Sequence, residues 1–164
     1  MDLDCIKNGT SIYFQCRKQA ATYNSTVYSR ESASEQLDIS VSTLANYELG
    51  ITTPPVDIVV KMAELYNAPE ILNHYCKAYC PIGRSMSIGT DVKSLELATI
   101  RVIKRLDEND IKSIRQELTD IADDGQITDD EEDRLDGILH KLDELATVIS
   151  ELKLIGQKRL YGRK

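Results

Sequence analysis

The sequence lacks tryptophan and contains a single phenylalanine among its 164 residues, so that aromatic residues make up only 5% of the chain. It has four prolines, all between Pro54 and Pro81, and eight glycines. So few aromatic residues and turn formers argue against a β-sandwich or a β-barrel, whose strands and turns need both. With charged residues at 29%, the composition instead predicts an all-α protein.

No apolar run approaches the roughly 20 residues that a membrane-spanning helix needs. The first residues, MDLDCIKNGTSIYFQC, contain neither a basic leader nor a continuous apolar stretch, so we expect no signal peptide. These features predict a cytoplasmic protein that does not bind membranes. Its four cysteines, Cys5, Cys16, Cys76 and Cys80, are therefore expected to be reduced thiols.

Few residues suit catalysis. The only histidines, His74 and His140, fall in different predicted domains, and no nucleophile elbow, phosphate loop or metal-binding helix motif is present. His74, Cys76 and Cys80 are close in sequence, but the second ligand pair that structural zinc requires is not evident. We therefore predict a protein that is not an enzyme and that uses no cofactor and no metal.

Residues 29–50, SRESASEQLDISVSTLANYELG, have the pattern of two short helices joined by a tight turn. Ser29 and Ser40 are good N-cap residues, and an apolar residue recurs at helical spacing after each. Asp38 stands at the turn, where few side chains other than glycine tolerate a left-handed backbone. Gly50 is placed to end the second helix. The stretch is thus predicted to be a helix-turn-helix.

This spacing resembles the XRE family of helix-turn-helix proteins, which are λ-repressor-like and Cro-like DNA-binding regulators. The shared positions are apolar residues and the two ends of the second helix, namely Ala33, Leu37, Ile39, Leu44 and Tyr47, the start Ile39-Ser40-x-Ser42-Thr43 and the end Tyr47-Glu48-x-Gly50. Ser34 and Asp38 depart from the alanine and glycine that the family prefers. The resemblance covers roughly residues 10 to 80 and implies a five-helix domain that binds double-stranded DNA.

The resemblance also implies roles for individual residues. The second helix would enter the major groove, where Val41, Ser42 and Asn46 would face the bases. Arg30 and Ser40 would hold backbone phosphates, and Thr43 would also take part in DNA binding. An asparagine amide suits adenine, and valine suits the methyl group of thymine. The family further implies a structural ion pair between Arg17 on the first helix and Glu48.

The surrounding sequence predicts three further helices, over residues 12–21, 56–66 and 70–78, so that a five-helix domain occupies residues 1–80. Residues 81–90, rich in glycine and serine, are expected to be a linker. Residues 91–164 contain no proline and should form a second, helical region.

Apolar residues follow a heptad pattern in the second half of that region. The residues are Leu135, Ile138, Leu142, Leu145, Ile149 and Leu152. A less regular stripe runs from Ile100 to Ile121, with an imperfection around residues 107–110. Two helices of about 30 residues are therefore expected to fold back on each other as an antiparallel, coiled-coil-like hairpin.

The turn of this hairpin has two interpretations. Residues 120–131 match several positions of a calcium-binding EF-hand loop, but Ala122 stands where a ligand oxygen is required. In the other interpretation Gly125 ends one helix in a left-handed conformation, and Thr128 with Glu131 forms a capping box that begins the next. We favour the second interpretation, which needs no ion.

A two-helix hairpin buries only one thin seam and tends to acquire a partner. A second copy would give a four-helix assembly through the six heptad residues, and a dimer would suit a palindromic operator. Alternatively the hairpin packs on its own N-terminal domain, or serves as a docking arm for another protein.

The charge is unusual for a DNA-binding protein. The net charge is −7, with −2 over residues 1–90 and −5 over residues 91–164. Phosphate neutralisation drives much of DNA binding. An acidic DNA-binding domain therefore predicts modest affinity, strong salt dependence, or an uneven distribution of charge that the net charge hides. A helix-turn-helix used only to bind protein remains an alternative.

Overall fold

A computed structural model describes residues 6–7, 10–90, 94–123 and 125–161. Cys5 and residue 124, which is part of the segment 120–131 discussed above, lie outside these residues. Within them the only strands are Ile6–Lys7 and Thr10–Ser11, which pair as a minimal antiparallel ladder, and the rest of the regular structure is helical. The predicted all-α fold is confirmed. No helix of this described part of the chain is long and apolar enough to cross a membrane.

The chain divides into two units, one formed by residues 1–86 with 157–164 and the other by residues 87–156. In the first unit the helices are α1 (Ile12–Ala20), α2 (Arg30–Leu37), α3 (Val41–Glu48), α4 (Val56–Leu65), α5 (Glu70–Ala78) and α6 (Pro81–Arg84). The first five agree with the predicted helices within a residue or two. The sixth lies in the stretch that was expected to be a linker, where Pro81 at the first helical position favours a helical start.

The first unit has one continuous apolar core. Leu37, Leu44, Met62 and Ile71, from four different helices, are completely buried. They recur at helical spacing with other apolar residues on each helix, so each helix turns one face to the same interior. This core fixes the rotation of α1 to α5 about their own axes.

The helix-turn-helix has the local geometry that its sequence predicts. Ser29 Oγ accepts a hydrogen bond from Ser32 N at 3.1 Å and so caps α2. Asp38 adopts the left-handed conformation with φ 56° and ψ 45°, and Ser40 Oγ caps α3 by accepting from Thr43 N at 3.0 Å. Short polar side chains thus set both the turn and the first residue of α3.

The second unit contains α7 (Leu95–Arg105), α8 (Glu108–Ala122) and most of α9 (Asp129–Tyr161), whose residues from 157 onward belong to the first unit. The expectation of one continuous helix before the hairpin turn is wrong. The chain breaks after α7, where Asp107 caps α8 by accepting from Asn109 N at 2.9 Å. Acidic residues in the first turn of α8 favour a new helix start because they complement the helix dipole.

The two arms are antiparallel, as predicted. Arg101 on α7 pairs with Glu151 on α9, and Arg105 pairs with Glu144 at 2.6 Å. As residue numbers rise along α7, the residue numbers of their partners on α9 fall. At the turn, Gly125 has φ 71° and Thr128 N donates to Glu131 Oε2 at 2.9 Å, as the capping interpretation predicts.

The heptad seam of α9 is only partly covered. Ile138 is 1% exposed, whereas Leu142 and Ile149 are 38% and 39% exposed. At the level of Ile149 the buried residue is instead its neighbour Val148. A straight α-helix drifts by about 20° per heptad relative to a perfect seven-residue repeat, so a strict heptad seam does not stay fully covered along the whole of α9.

Candidate nucleic-acid interface

The outer face of α3 presents a small set of side chains that can contact base edges. Leu44 and Tyr47 are buried and turn the opposite face of the helix outward. Val41 and Ser42 are exposed there, and Asn46 is half-buried one turn further on. This arrangement combines a methyl surface, a hydroxyl and an amide, which are the groups that read the major groove.

The hydroxyl groups at the start of α3 form a network. Ser40 Oγ lies 2.9 Å from Ser42 Oγ and 2.7 Å from Thr43 Oγ1, in addition to its capping bond. These side chains therefore hold one another in place before any ligand arrives. Ser40 is exposed at a helix N-terminus, where the helix dipole favours an anion such as a phosphate.

A buried ion pair fixes the far end of α3. Arg17 Nε donates to Glu48 Oε1, and Arg17 Nη2 donates to Glu48 Oε2 at 3.1 Å. Both residues are almost fully buried, at 3% and 1% exposure. Arg17 Nη1 also donates to the carbonyls of Val27 and Tyr28, at 3.2 and 3.0 Å. One guanidinium thus joins α1, the loop before α2 and α3, and its bidentate geometry favours a single arrangement.

Arg30, expected to hold a phosphate, has a second role. Its Nε donates to Glu48 Oε2 at 2.6 Å, while its side chain remains 35% exposed. The Glu48 carboxylate therefore lies between two guanidinium groups, and the three side chains together carry one net positive charge. The resemblance implied only the pair with Arg17, because nothing in the sequence shows that the start of α2 lies against the end of α3.

An exposed cation, Lys18, lies beside the start of α2. Lys18 Nζ lies 5.6 Å from the ring centroid of Tyr28 and 6.0 Å from that of Phe14, which are favourable cation–π distances. Tyr28 is 69% exposed and directly precedes Ser29, the cap of α2. The two aromatic rings hold a positive charge near a helix N-terminus, and no local pattern links a lysine to a tyrosine ten residues later.

The remaining charge around the helix-turn-helix is acidic. Residues 28–71 contain two basic residues, Arg30 and Lys61, and seven acidic ones, a net charge of −5. Arg30 is already shared with Glu48. Phosphate contacts in this segment therefore depend on few cations, which limits the electrostatic part of DNA affinity.

The titratable groups elsewhere in the first unit have no evident chemical role. Burial, together with the nearby Glu70, raises the pKa of Cys16 to about 12, so its thiol stays protonated. Burial also lowers the pKa of His74. Cys16, Cys76 and Cys80 are free thiols. Among the described residues, no group of three or more His, Cys, Asp and Glu is placed to hold a metal ion.

The geometry described above defines a helix-turn-helix, with α2 and α3 as its two helices. Residues 28–71 match the family model described as Helix-turn-helix. This part of the chain is a helix-turn-helix domain of the XRE family, of the Cro and C1 type, whose members are DNA-binding regulators. No curated protein and no solved structure matches the chain, and α7, α8 and α9 lie outside the matched residues.

Proposed function

We propose that this protein is a phage-repressor-like transcriptional regulator that binds a palindromic operator in the cytoplasm as a dimer. The observation that carries the proposal is the outer face of α3, where Val41, Ser42 and Asn46 are presented by a helix whose two ends are both fixed. A rigid helix with this set of side chains suits direct readout of a major groove. The chemistry is binding alone, without catalysis, cofactor or metal.

The residues divide into two groups by what they contact. Asn46 accepts from and donates to an adenine edge, Val41 packs on a thymine methyl group, and Ser42 and Thr43 contact neighbouring base edges. Arg30, Ser40 and Lys18 lie beside the N-termini of α2 and α3, where they hold phosphates. The second group sets affinity, and the first sets sequence preference.

The negative charge of residues 28–71 favours a dimer, in which two DNA-binding domains bind together. With a net charge of −5 over residues 28–71, one head gains little from counterion release, so its affinity for DNA is modest. When two DNA-binding domains are linked in a dimer, the second domain binds its half-site as an intramolecular event. This raises the overall affinity for the operator without any new contact. The hairpin of the second unit, which leaves apolar side chains exposed, provides the self-association.

Selection from a random DNA pool, followed by binding measurements on the selected sequence, tests this proposal. Asn46→Ala should reduce the preference at one base pair by about 1–3 kcal/mol. Arg30→Ala should weaken binding to every sequence alike and make the salt dependence less steep. Gln116→Ala, which removes an exposed amide from α8, should change neither quantity.

Equal losses on all sequences from both Asn46→Ala and Arg30→Ala would contradict the assignment. A second function, an adaptor that binds protein through the helix-turn-helix and docks through the hairpin, is favoured by the net charge of −5 over residues 28–71. Failure of the pool to enrich any sequence, even at low salt where phosphate contacts are strongest, would support the adaptor and reject the regulator.

A further inference from the structure

Helix α7 turns its apolar side chains away from the rest of its unit. The residues that face inward are Ala98, which is 2% exposed, and half-buried Val102. Arg101 and Arg105 lie at the edge of this face and pair with Glu151 and Glu144. The large aliphatic residues Leu97, Ile100 and Ile103 are instead 52%, 51% and 64% exposed. An amphipathic helix in a complete structure normally has its large aliphatic residues covered.

The three exposed residues form one stripe. Leu97, Ile100 and Ile103 are separated by three positions each, so they lie along one side of α7. This α7 stripe is flanked by residues of opposite charge, Glu96 at its beginning and Lys104 near its end. An exposed row of aliphatic side chains with charges at its edges is typical of a surface that another chain covers.

The α7 stripe is complementary to itself. If two copies of α7 cross in an antiparallel manner about a two-fold axis through Ile100, the Ile100 side chains meet each other. Leu97 then meets Ile103 of the other copy, and Glu96 meets Lys104, at both ends. In a parallel pair each charge would instead meet its own copy, which is unfavourable at both ends.

The charge of the whole hairpin favours the same orientation. Residues 107–136, which contain α8, the turn and the start of α9, include thirteen acidic and three basic residues, a net charge of −10. Residues 95–105, which form α7, have a net charge of +2. A parallel pair of hairpins would bring the two acidic segments together, whereas an antiparallel pair places them at opposite ends of the assembly.

We propose that a second copy of this chain covers the α7 stripe, with the two α7 helices antiparallel about a two-fold axis at Ile100. This proposal rests on the dimer of the proposed function and assigns its interface to α7 rather than to the heptad seam of α9. Such an interface is isologous, since the same surface is used on both copies.

The expected strength follows from the size of α7. The helix has 11 residues and is therefore about 16 Å long, so two copies form an interface at the low end of specific interface sizes. We expect a dimer with a dissociation constant of about micromolar order. Operator binding by both heads then adds to the association through linkage.

The test is sedimentation equilibrium of the full chain at low salt, for the wild type and for Glu96→Lys, Lys104→Glu and the double variant. Each single change replaces two attractive contacts with two repulsive ones and should raise the dissociation constant about tenfold. The double variant should return to within about threefold of the wild type. The two residues are eight positions apart, about 12 Å along one helix, so restoration requires contact between chains.

Two further variants locate the interface. Ile100→Asp would place two carboxylates on the two-fold axis and should give monomers that remain helical by circular dichroism, because the residue is half-exposed in a single chain. The matched control is Leu142→Asp on the α9 seam, which is 38% exposed and should leave dimerisation unchanged.

Each other outcome overturns the inference in a recognisable way. Weakening by both single variants without restoration in the double variant rejects the antiparallel register. If every α7 variant stays dimeric and Leu142→Asp is monomeric, the interface lies on α9. The proposed function is then unaffected. A wild-type chain that stays monomeric at 100-fold the expected dissociation constant rejects the α7 interface and the dimer, while the DNA selection decides separately whether the monomer binds DNA.

Discussion

The two units of this chain use the same kind of residue in opposite ways. In the first unit, aliphatic residues of α2, α3, α4 and α5 are completely buried in one core. In the second, α7 exposes a row of leucine and isoleucine and α9 leaves part of its heptad seam uncovered. The first unit packs its helices around one shared core, although Leu49, Ile51 and Ile82 remain exposed. The second unit has long, thin faces and few neighbours to cover them.

This difference shows where stability and association reside. Buried apolar surface is the main favourable term in folding, so the first unit has the larger share of what holds one chain together. Exposed apolar surface costs a single chain little relative to its unfolded state, but it becomes favourable when another surface covers it. Substitutions should therefore affect stability in the first unit and association in the second.

The largest effect should come from Glu48, the centre of the charged cluster in the first unit. Glu48→Ala leaves Arg17 buried without its carboxylate, and breaking a buried pair in this way costs about 3–5 kcal/mol. The control is Glu35→Ala, which removes an exposed carboxylate from α2 and should change the free energy of unfolding by less than about 0.5 kcal/mol. Similar urea midpoints for the two variants would show that the cluster is not a stability determinant.

A smaller effect is expected at Lys158, which the sequence placed in the hairpin and the structure places in the first unit. Its ammonium lies 2.6 Å from Oε1 of Glu70, which is 7% exposed, and its carbonyl accepts from Asn67 Nδ2 at 3.4 Å. Lys158→Ala leaves that carboxylate buried without its cation and should cost about 1–3 kcal/mol.

Lys153→Ala is the matched control, because Lys153 is an exposed lysine on the same helix within the second unit. If both lysine variants unfold at the same urea concentration as the wild type, the end of α9 does not stabilise the first unit. All of α9 would then belong to the second unit.

Sequence reasoning predicted the first unit well because its signals are local. Serine caps, an aspartate in a left-handed turn and apolar residues at helical spacing each act within one or two turns of helix. The break between α7 and α8 was equally local, since Asp107 is a capping residue, but it was treated only as an imperfection in a longer stripe. The hairpin and its capped turn followed from the same local patterns.

The relations that were missed are non-local. Arg30 pairs with Glu48 eighteen residues later, and Lys158 pairs with Glu70 across most of the chain. The inward and outward faces of α7 were also not predicted, because periodicity shows that a helix has an apolar side without showing which side its neighbours cover. Such relations depend on how helices pack together, and a single sequence does not contain that information in any short segment.

The smallest expected effect on the stability of a single chain is at Ile103. This residue also gives the sharpest test of the difference between the two units. Ile103 is 64% exposed, so Ile103→Ser should change the unfolding free energy of the monomer by no more than about 0.5 kcal/mol. Ile71→Ser in the first unit makes the same chemical change at a fully buried position and should prevent stable folding, because it adds a cavity and a buried hydroxyl.

Melting curves over a range of protein concentrations then separate stability from association. The melting temperature of the wild type should rise with concentration, since dimerisation stabilises the folded chain by mass action. Ile103→Ser should match the wild type in dilute solution and lose that concentration dependence. A variant that melts early at every concentration would show that Ile103 belongs to the core of a single chain, and the contrast between the two units would fail at that position.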